Sequence, residues 1–95
     1  MNINSISDFR KAIRNGAYAW PGGYPLYFVT SDGATISFSA ARYNRRSILE
    51  AIATKASDGW RVVGLETNWE DPDLRCDDTG ERIPSAYAED EAPAY

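Results

Sequence analysis

Two runs of alternating apolar and polar residues, at positions 24–30 and 34–40, flank the dipeptide Asp32-Gly33. Both runs are rich in the β-branched and aromatic residues that strands favour, and a period of two residues is that of a strand. Asp-Gly between such runs is typical of a hairpin with a type I′ turn, in which both central residues need a positive φ. The pattern therefore predicts an antiparallel hairpin whose second strand continues to Ala40.

Apolar residues at helical spacing predict one helix on each side of this hairpin. The first helix follows the N-cap candidate Ser5, and the second follows the N-cap candidate Asn44 and runs to about Ala56. The apolar stripes are Ile6, Phe9 and Ile13 in the first helix, and Ile48, Leu49 and Ile52 in the second.

A third strand is predicted over residues 60–69, where the first half is apolar on both faces, as in a covered central strand. Gly64 in its middle indicates a bulge or a close approach of a helix. The predicted fold is α+β in the order α-β-β-α-β. It has a three-stranded antiparallel sheet of order 2-1-3, two helices on one face and an irregular acidic C-terminal tail.

The loop at residues 17–25 combines prolines and a Gly-Gly pair with Tyr18, Trp20 and Tyr24. These aromatic side chains are expected to pack under the sheet. The alternative is that they form a contact surface for a partner.

The charges are divided unevenly along the chain. Residues 1–69 carry eight basic and five acidic side chains, whereas residues 70–95 carry two basic and nine acidic ones. We expect a compact domain over residues 1–69 and an acidic tail over residues 70–95, partly packed to about residue 87 and mobile beyond it. Such a split is typical of an interaction tail, although the acids could equally solvate the tail or fold back on the arginines.

The composition argues against several classes of protein. No apolar run is long enough for a membrane span, and the first residues do not resemble a cleaved signal peptide. The single cysteine, Cys76, fits a reducing cytoplasm and allows no internal disulfide. The chain has no histidine, so it lacks the commonest general base and metal ligand.

Catalytic motifs are also missing. The carboxylates of residues 66–73 could run acid–base chemistry, but an exposed acidic loop is more often simply solvated. No glycine-rich phosphate loop precedes a helix, and the aspartates lack the spacing of an EF-hand. We expect a protein that is not an enzyme and needs no cofactor.

Several short stretches resemble a group of short bacteriophage- and prophage-encoded proteins that are mostly uncharacterised. The matching stretches lie between Trp20 and Tyr87 and read GGYPLYF, SDG, DGWRVV, NWED, LxC and GERIPSAY. Members of this group carry a zinc-ribbon-like set of two Cys-x-x-Cys pairs, one on the second hairpin strand and one in the tail.

This resemblance implies that the four zinc positions correspond here to Ser37, Ala40, Cys76 and Thr79. Two thiolates three residues apart can grip one tetrahedral zinc ion, but a single cysteine cannot hold structural zinc. The resemblance therefore implies that this chain has lost the metal. It is then expected to hold its tail by packing, through Leu74, Ile83 and Tyr87.

The leading hypothesis is a non-catalytic, phage-encoded binding protein in the cytoplasm of a bacterial host. Phage resemblance, small size and the acidic tail together favour an inhibitor of a defence effector, in the manner of anti-CRISPR proteins, whose acids imitate nucleic-acid charge. The acidic residues assigned to partner binding are Glu70, Asp71, Asp73, Asp77, Asp78 and Glu81.

Two alternatives remain open. The first is a degenerate zinc-ribbon module that binds single-stranded nucleic acid through a basic patch beside Tyr43. The second is an accessory protein that dimerises through the strand at residues 34–40 or through the aromatic loop. The residues of the basic patch are Arg10, Lys11, Arg14, Arg42, Arg45 and Arg46.

Overall fold

A computed structural model describes residues 2–19, 24–56, 59–71 and 73–85. The fold is α+β, and the elements follow one another in a single order along the chain. They are α1 (Ile6–Asn15), β1 (Tyr18–Ala19), β2 (Tyr24–Thr30), β3 (Thr35–Ile36), α2 (Phe38–Tyr43), α3 (Arg45–Thr54) and β4 (Val62–Thr67). The predictions that concern Trp20, Asp58 and Tyr87 lie outside the described residues.

Strand β2 is the centre of the sheet and pairs antiparallel with both β3 and β4. Phe28 lies opposite Ile36 on β3 and opposite Leu65 on β4. The sheet order β3-β2-β4 is the predicted order 2-1-3, so this prediction is confirmed. The short strand β1 adds to the start of β2, with Tyr18 opposite Pro25.

The hairpin turn differs from the predicted type I′. Lys55 is the one non-glycine residue with a positive φ in the described part of the chain, so Asp32 does not adopt the required conformation. Gly33 has a φ of 88°, and its N–H donates to the carbonyl of Thr30 at 3.0 Å. The positive φ therefore falls on glycine alone, where it carries no steric cost.

The prediction of a second hairpin strand up to Ala40 is wrong. The strand ends at Ile36, because Ser37 is the N-cap of a third, unpredicted helix, α2, and its Oγ accepts the N–H of Ala40 at 3.1 Å. A serine N-cap typically stabilises a helix by about 1 kcal/mol. The edge strand at residues 34–40, one of the two surfaces named in the dimer alternative, does not exist over that length.

The predicted caps are partly confirmed. Ser5 caps α1, since its Oγ accepts the N–H of Asp8 at 3.1 Å. Asn44 precedes α3 but makes no capping bond through its side chain. Helix α3 ends at Thr54, before the predicted Ala56, because Lys55 adopts a left-handed conformation.

The prediction of a bulge at Gly64 is confirmed. Val29 lies opposite Gly64, whereas the next residue, Thr30, lies opposite Val62, so Val63 is the extra residue. The N-terminal segment pairs with the other edge of β4 at this point. Asn2 bridges to Gly64, and the N–H of Ile3 donates to the carbonyl of Val63 at 2.9 Å.

The core is built on Phe28, whose side chain is completely buried. Its ring centroid lies 5.3 Å from that of Phe9 on α1 and 4.5 Å from that of Phe38 on α2. The Phe28 side chain projects from one face of the sheet and contacts both helices. Helices α1 and α2 therefore cover the same face.

We predict that Phe28→Ala lowers the free energy of unfolding by about 3–5 kcal/mol, because it removes a ring that contacts two helices and leaves a cavity. Urea denaturation measures this loss. The control Tyr43→Ala removes a ring that is 89% exposed and should change stability by about 0.5 kcal/mol or less. Equal effects of the two substitutions would contradict this description of the core.

Candidate functional site

Residues 74–83 form a narrow double-stranded turn, which we call the acidic turn. Arg75 and Arg82 form an antiparallel bridge at its base. The N–H of Cys76 donates to the carbonyl of Glu81 at 2.8 Å, and the N–H of Gly80 donates to the carbonyl of Cys76 at 2.8 Å. This part of the acidic segment therefore has a hydrogen-bonded structure of its own.

Asp77 fastens the acidic turn to strand β3. Its N–H donates to the carbonyl of Thr35 at 2.7 Å, and its Oδ2 accepts the N–H of Thr35 at 2.7 Å. Both backbone groups of an edge residue are thus satisfied by one aspartate, which covers the outer edge of the sheet there.

Glu81 fastens the other arm of the turn to the start of α2. Its Oε1 accepts hydrogen bonds from the hydroxyls of Ser39 at 2.8 Å, Thr79 at 3.1 Å and Ser37 at 3.2 Å. The bond from Ser39 is the main reason that the pKa of Glu81 lies below its ordinary value, since these donors favour the charged carboxylate. Glu81 is consequently an ionised group at neutral pH.

Asp78 lies against the junction between α2 and α3. The side-chain amide of Asn44 donates to Asp78 Oδ2 at 3.0 Å and to the carbonyl of Ala40 at 2.9 Å. The amide group of Asn44 thus links helix α2 to the acidic turn.

The segment between β4 and the acidic turn is held by a buried asparagine. The Nδ2 of Asn68, which is 3% exposed, donates to the carbonyls of Asp71, Pro84 and Ile83 at 3.0, 3.0 and 3.2 Å. The side chain of Ile83 belongs to the hydrophobic core, and Leu74 packs against that core. The apolar contacts expected of Leu74 and Ile83 are therefore present.

We predict that Asn68→Asp releases residues 71–84 from the body, because the substitution places a carboxylate against three carbonyl oxygens and removes their donor. Leaving such buried groups unsatisfied costs about 1–3 kcal/mol each. Hydrogen exchange at the Asp77 amide, which joins the turn to the carbonyl of Thr35 on β3, should quicken. The control Asn2→Asp, at an exposed position, should leave this exchange unchanged; unaltered exchange in Asn68→Asp would contradict the assignment.

The other predicted acidic residues precede the turn. Glu70, Asp71 and Asp73 are exposed, as are the acids on the turn itself. Asp71 shapes the local chain, since its N–H donates to Asn68 Oδ1 at 3.1 Å and its Oδ1 accepts the N–H of Asp73 at 2.9 Å. The six predicted acids thus follow one another along a continuous ordered path, apart from residue 72, which is outside the described part.

The predicted basic residues lie on all three helices and are exposed. Arg42 joins α2 to α1, because its Nη2 donates to the carbonyl of Ile13 at 3.5 Å, next to Arg14. Arg10 and Lys11 are on α1, and Arg45 and Arg46 begin α3. Within residues 2–19, 24–56, 59–71 and 73–85, no salt bridge joins these side chains to the acidic turn.

Three of the four positions that the resemblance assigns to zinc lie together at the Cys76 thiol, namely Ser37, Cys76 and Thr79. The side chain of Cys76 is 1% exposed, and its Sγ accepts the N–H of Ser37 at 3.4 Å. Burial raises the pKa of the thiol, but hydrogen bonds from Ser37 and Thr79 outweigh burial and leave the pKa below its ordinary value. Ala40, the fourth position, is bonded through its N–H to Ser37 Oγ.

The residues present at these positions do not fit a zinc site, because a single thiol with two hydroxyls and a methyl group cannot supply the usual ligands. No group of three or more potential ligand side chains of His, Cys, Asp or Glu suited to a metal occurs in the described part of the chain. Hydrogen bonds and packing hold the turn in place instead.

We predict that the triple variant Ser37→Cys, Ala40→Cys, Thr79→Cys binds zinc, because with Cys76 it supplies four thiolates on a helix start and a tight turn. Cobalt substitution should produce thiolate-to-metal charge-transfer bands and the visible spectrum of a tetrahedral site, and zinc should raise the unfolding temperature. The control Thr79→Cys alone should do neither. A triple variant that folds but shows no tetrahedral cobalt spectrum would contradict the proposed correspondence of positions.

Sequence reasoning missed the residues that hold the acidic turn, namely Thr35, Ser37, Ser39 and Asn68. Ser37 carried a usable signal, because a serine before Phe-Ser-Ala-Ala is a plausible N-cap as well as a strand residue. The partners of Thr35 and Asn68 lie far along the chain or are backbone groups, so no local pattern pointed to them.

Comparison with known proteins yields no match to a family model, a curated protein or a solved structure. Among the described residues, no helix has both the length and the apolar character that crossing a membrane requires.

Proposed function

We propose that this protein is a non-catalytic binding protein that uses the acidic turn, with Glu70, Asp71 and Asp73 beside it, to contact a basic surface of a host macromolecule. We take the partner to be a nucleic-acid-binding groove on a bacterial defence effector of the CRISPR type. The phage resemblance supports this choice of partner, and the geometry of the turn supports the mode of binding.

The observation that carries the proposal is the attachment of the acids to the body. Asp77, Asp78 and Glu81 each use one carboxylate oxygen to hold the turn against β3 or the helices, yet all three side chains remain exposed. A charged surface that is already ordered loses little conformational entropy on binding. This favours a recognition surface over a merely solvated tail.

The nucleic-acid alternative has one observation in its favour, which is Tyr43. This side chain is 89% exposed and lies in the sequence Arg-Tyr-Asn-Arg-Arg, and bases stack on such aromatic groups. However, Asn44 in the middle of this segment holds Asp78. The acidic turn thus places negative charge beside the basic patch, which lowers the attraction of this patch for phosphate.

The decisive experiment removes charge from the acidic turn while it keeps the hydrogen bonds that hold the turn. The double variant Asp77→Asn, Asp78→Asn removes two charges but keeps an amide oxygen that can accept the N–H of Thr35 and the amide of Asn44. We predict that it unfolds at nearly the same temperature as the wild type and binds the partner about tenfold more weakly at low salt. The partner is the protein recovered by affinity capture from bacterial lysate after nuclease treatment.

The matched control is Glu50→Gln, Glu66→Gln, which removes the same charge from exposed positions on α3 and β4. It should bind as the wild type does. Equal loss in both variants would indicate a non-specific effect of net charge. Recovery that disappears with nuclease, together with weaker binding by Arg45→Gln, would instead favour the nucleic-acid alternative.

A further inference from the structure

We propose that a cavity between β1, α2 and the acidic turn binds a small zwitterion with an apolar group, of the type of an α-amino acid with an aliphatic or aromatic side chain. This inference does not depend on the proposed partner. It rests on the shape of the cavity and on the charges that its walls present.

The cavity has a volume of about 310 Å³ and is partly open to solvent. Pro25, Leu26, Phe38 and Ile83 form its apolar walls. The cavity lies where the chain leaves the sheet at Ser37, beside the start of β2, whose Leu26 N–H donates to the carbonyl of Ala17 at 2.9 Å. Its volume falls at the small end of the range typical of ligand sites in proteins.

Arg42 supplies a positive charge in a defined position. Its Cζ lies 5.8 Å from the centroid of the Phe38 ring, a distance typical of a cation–π contact, and its Nη2 donates to the carbonyl of Ile13. The guanidinium is held from two sides and retains further N–H donors for a carboxylate. Arg82 adds a second cationic side chain to the lining.

Glu81 supplies a negative charge in the same cavity. Its Oε1 is held by the hydroxyls of Ser37, Ser39 and Thr79, whereas its Oε2 accepts no hydrogen bond from the described residues. A held carboxylate with a vacant oxygen can accept from an ammonium group.

The combination selects among ligand classes. A purely anionic ligand gains no attraction from Glu81, and a purely cationic one gains none from Arg42, so neither uses both signs of charge in the lining. A molecule with a carboxylate for Arg42, an ammonium for Glu81 and an apolar group for the apolar walls can bind all three. The α-amino acids with apolar side chains are the simplest molecules of this description.

The test is a titration of the protein with small molecules. Binding is measured by the changes in amide chemical shifts in nuclear magnetic resonance spectra. The probes are L-leucine, glycine, L-leucinamide and N-acetyl-L-leucine. We expect leucine to shift the amides of Leu26, Ser39 and Ile83 at millimolar concentration. Glycine lacks the apolar group, and each leucine derivative lacks one charge, so these three should bind about tenfold more weakly or not at all.

Two variants assign the charges. Glu81→Gln should weaken the binding of leucine about tenfold and should not weaken that of N-acetyl-L-leucine, whereas Arg42→Gln should weaken both. Arg45→Gln is the control, because this exposed residue on α3 does not line the cavity. Spectra of each variant without ligand show whether the fold persists. The proposal is overturned if leucine shifts none of these amides, or if it binds no better than glycine or than its two singly charged derivatives.

Discussion

Ser37 is the residue on which the architecture depends, because it takes part in three different structures at once. Its Oγ accepts the N–H of Ala40 and so begins α2, and the same hydroxyl donates to Glu81. Its N–H donates to the thiol of Cys76. One serine thus follows the end of a strand, caps a helix through its hydroxyl, and contacts both arms of the acidic turn through its hydroxyl and its backbone N–H.

This arrangement turns an acidic segment into part of the fold. Hydrophobic burial of Ile83 and Cys76 brings the segment to the core, and hydrogen bonds from Thr35, Ser37 and Asn68 fix its course. The carboxylates that are not buried keep their charge while their positions are set by these contacts. Structure and charge therefore arise from the same residues, and a change at one of them acts on both.

A run that is apolar on both faces predicted β4, and placing the most apolar strands inside the sheet led to the order β3-β2-β4. The period-two pattern predicted β2 and the start of β3. It failed at Ser37–Ala40, where the same residues satisfy a strand pattern and a capped helix, and where the cap and the burial of Phe38 and Ala41 decide the outcome. The acids of the site could be found from composition. Their anchors could not, because Thr35 and Asp77 are separated by 42 residues and meet only in the folded chain.

Backbone ¹⁵N relaxation measures whether the acidic turn is a rigid part of the body. We predict order parameters of about 0.85 for residues 76–81, equal to those of helix α3. Values below about 0.6 in the turn, with α3 rigid, would contradict this prediction. The acids would then be a flexible tail, and their hydrogen bonds to Thr35, Ser39 and Asn44 would not persist in solution.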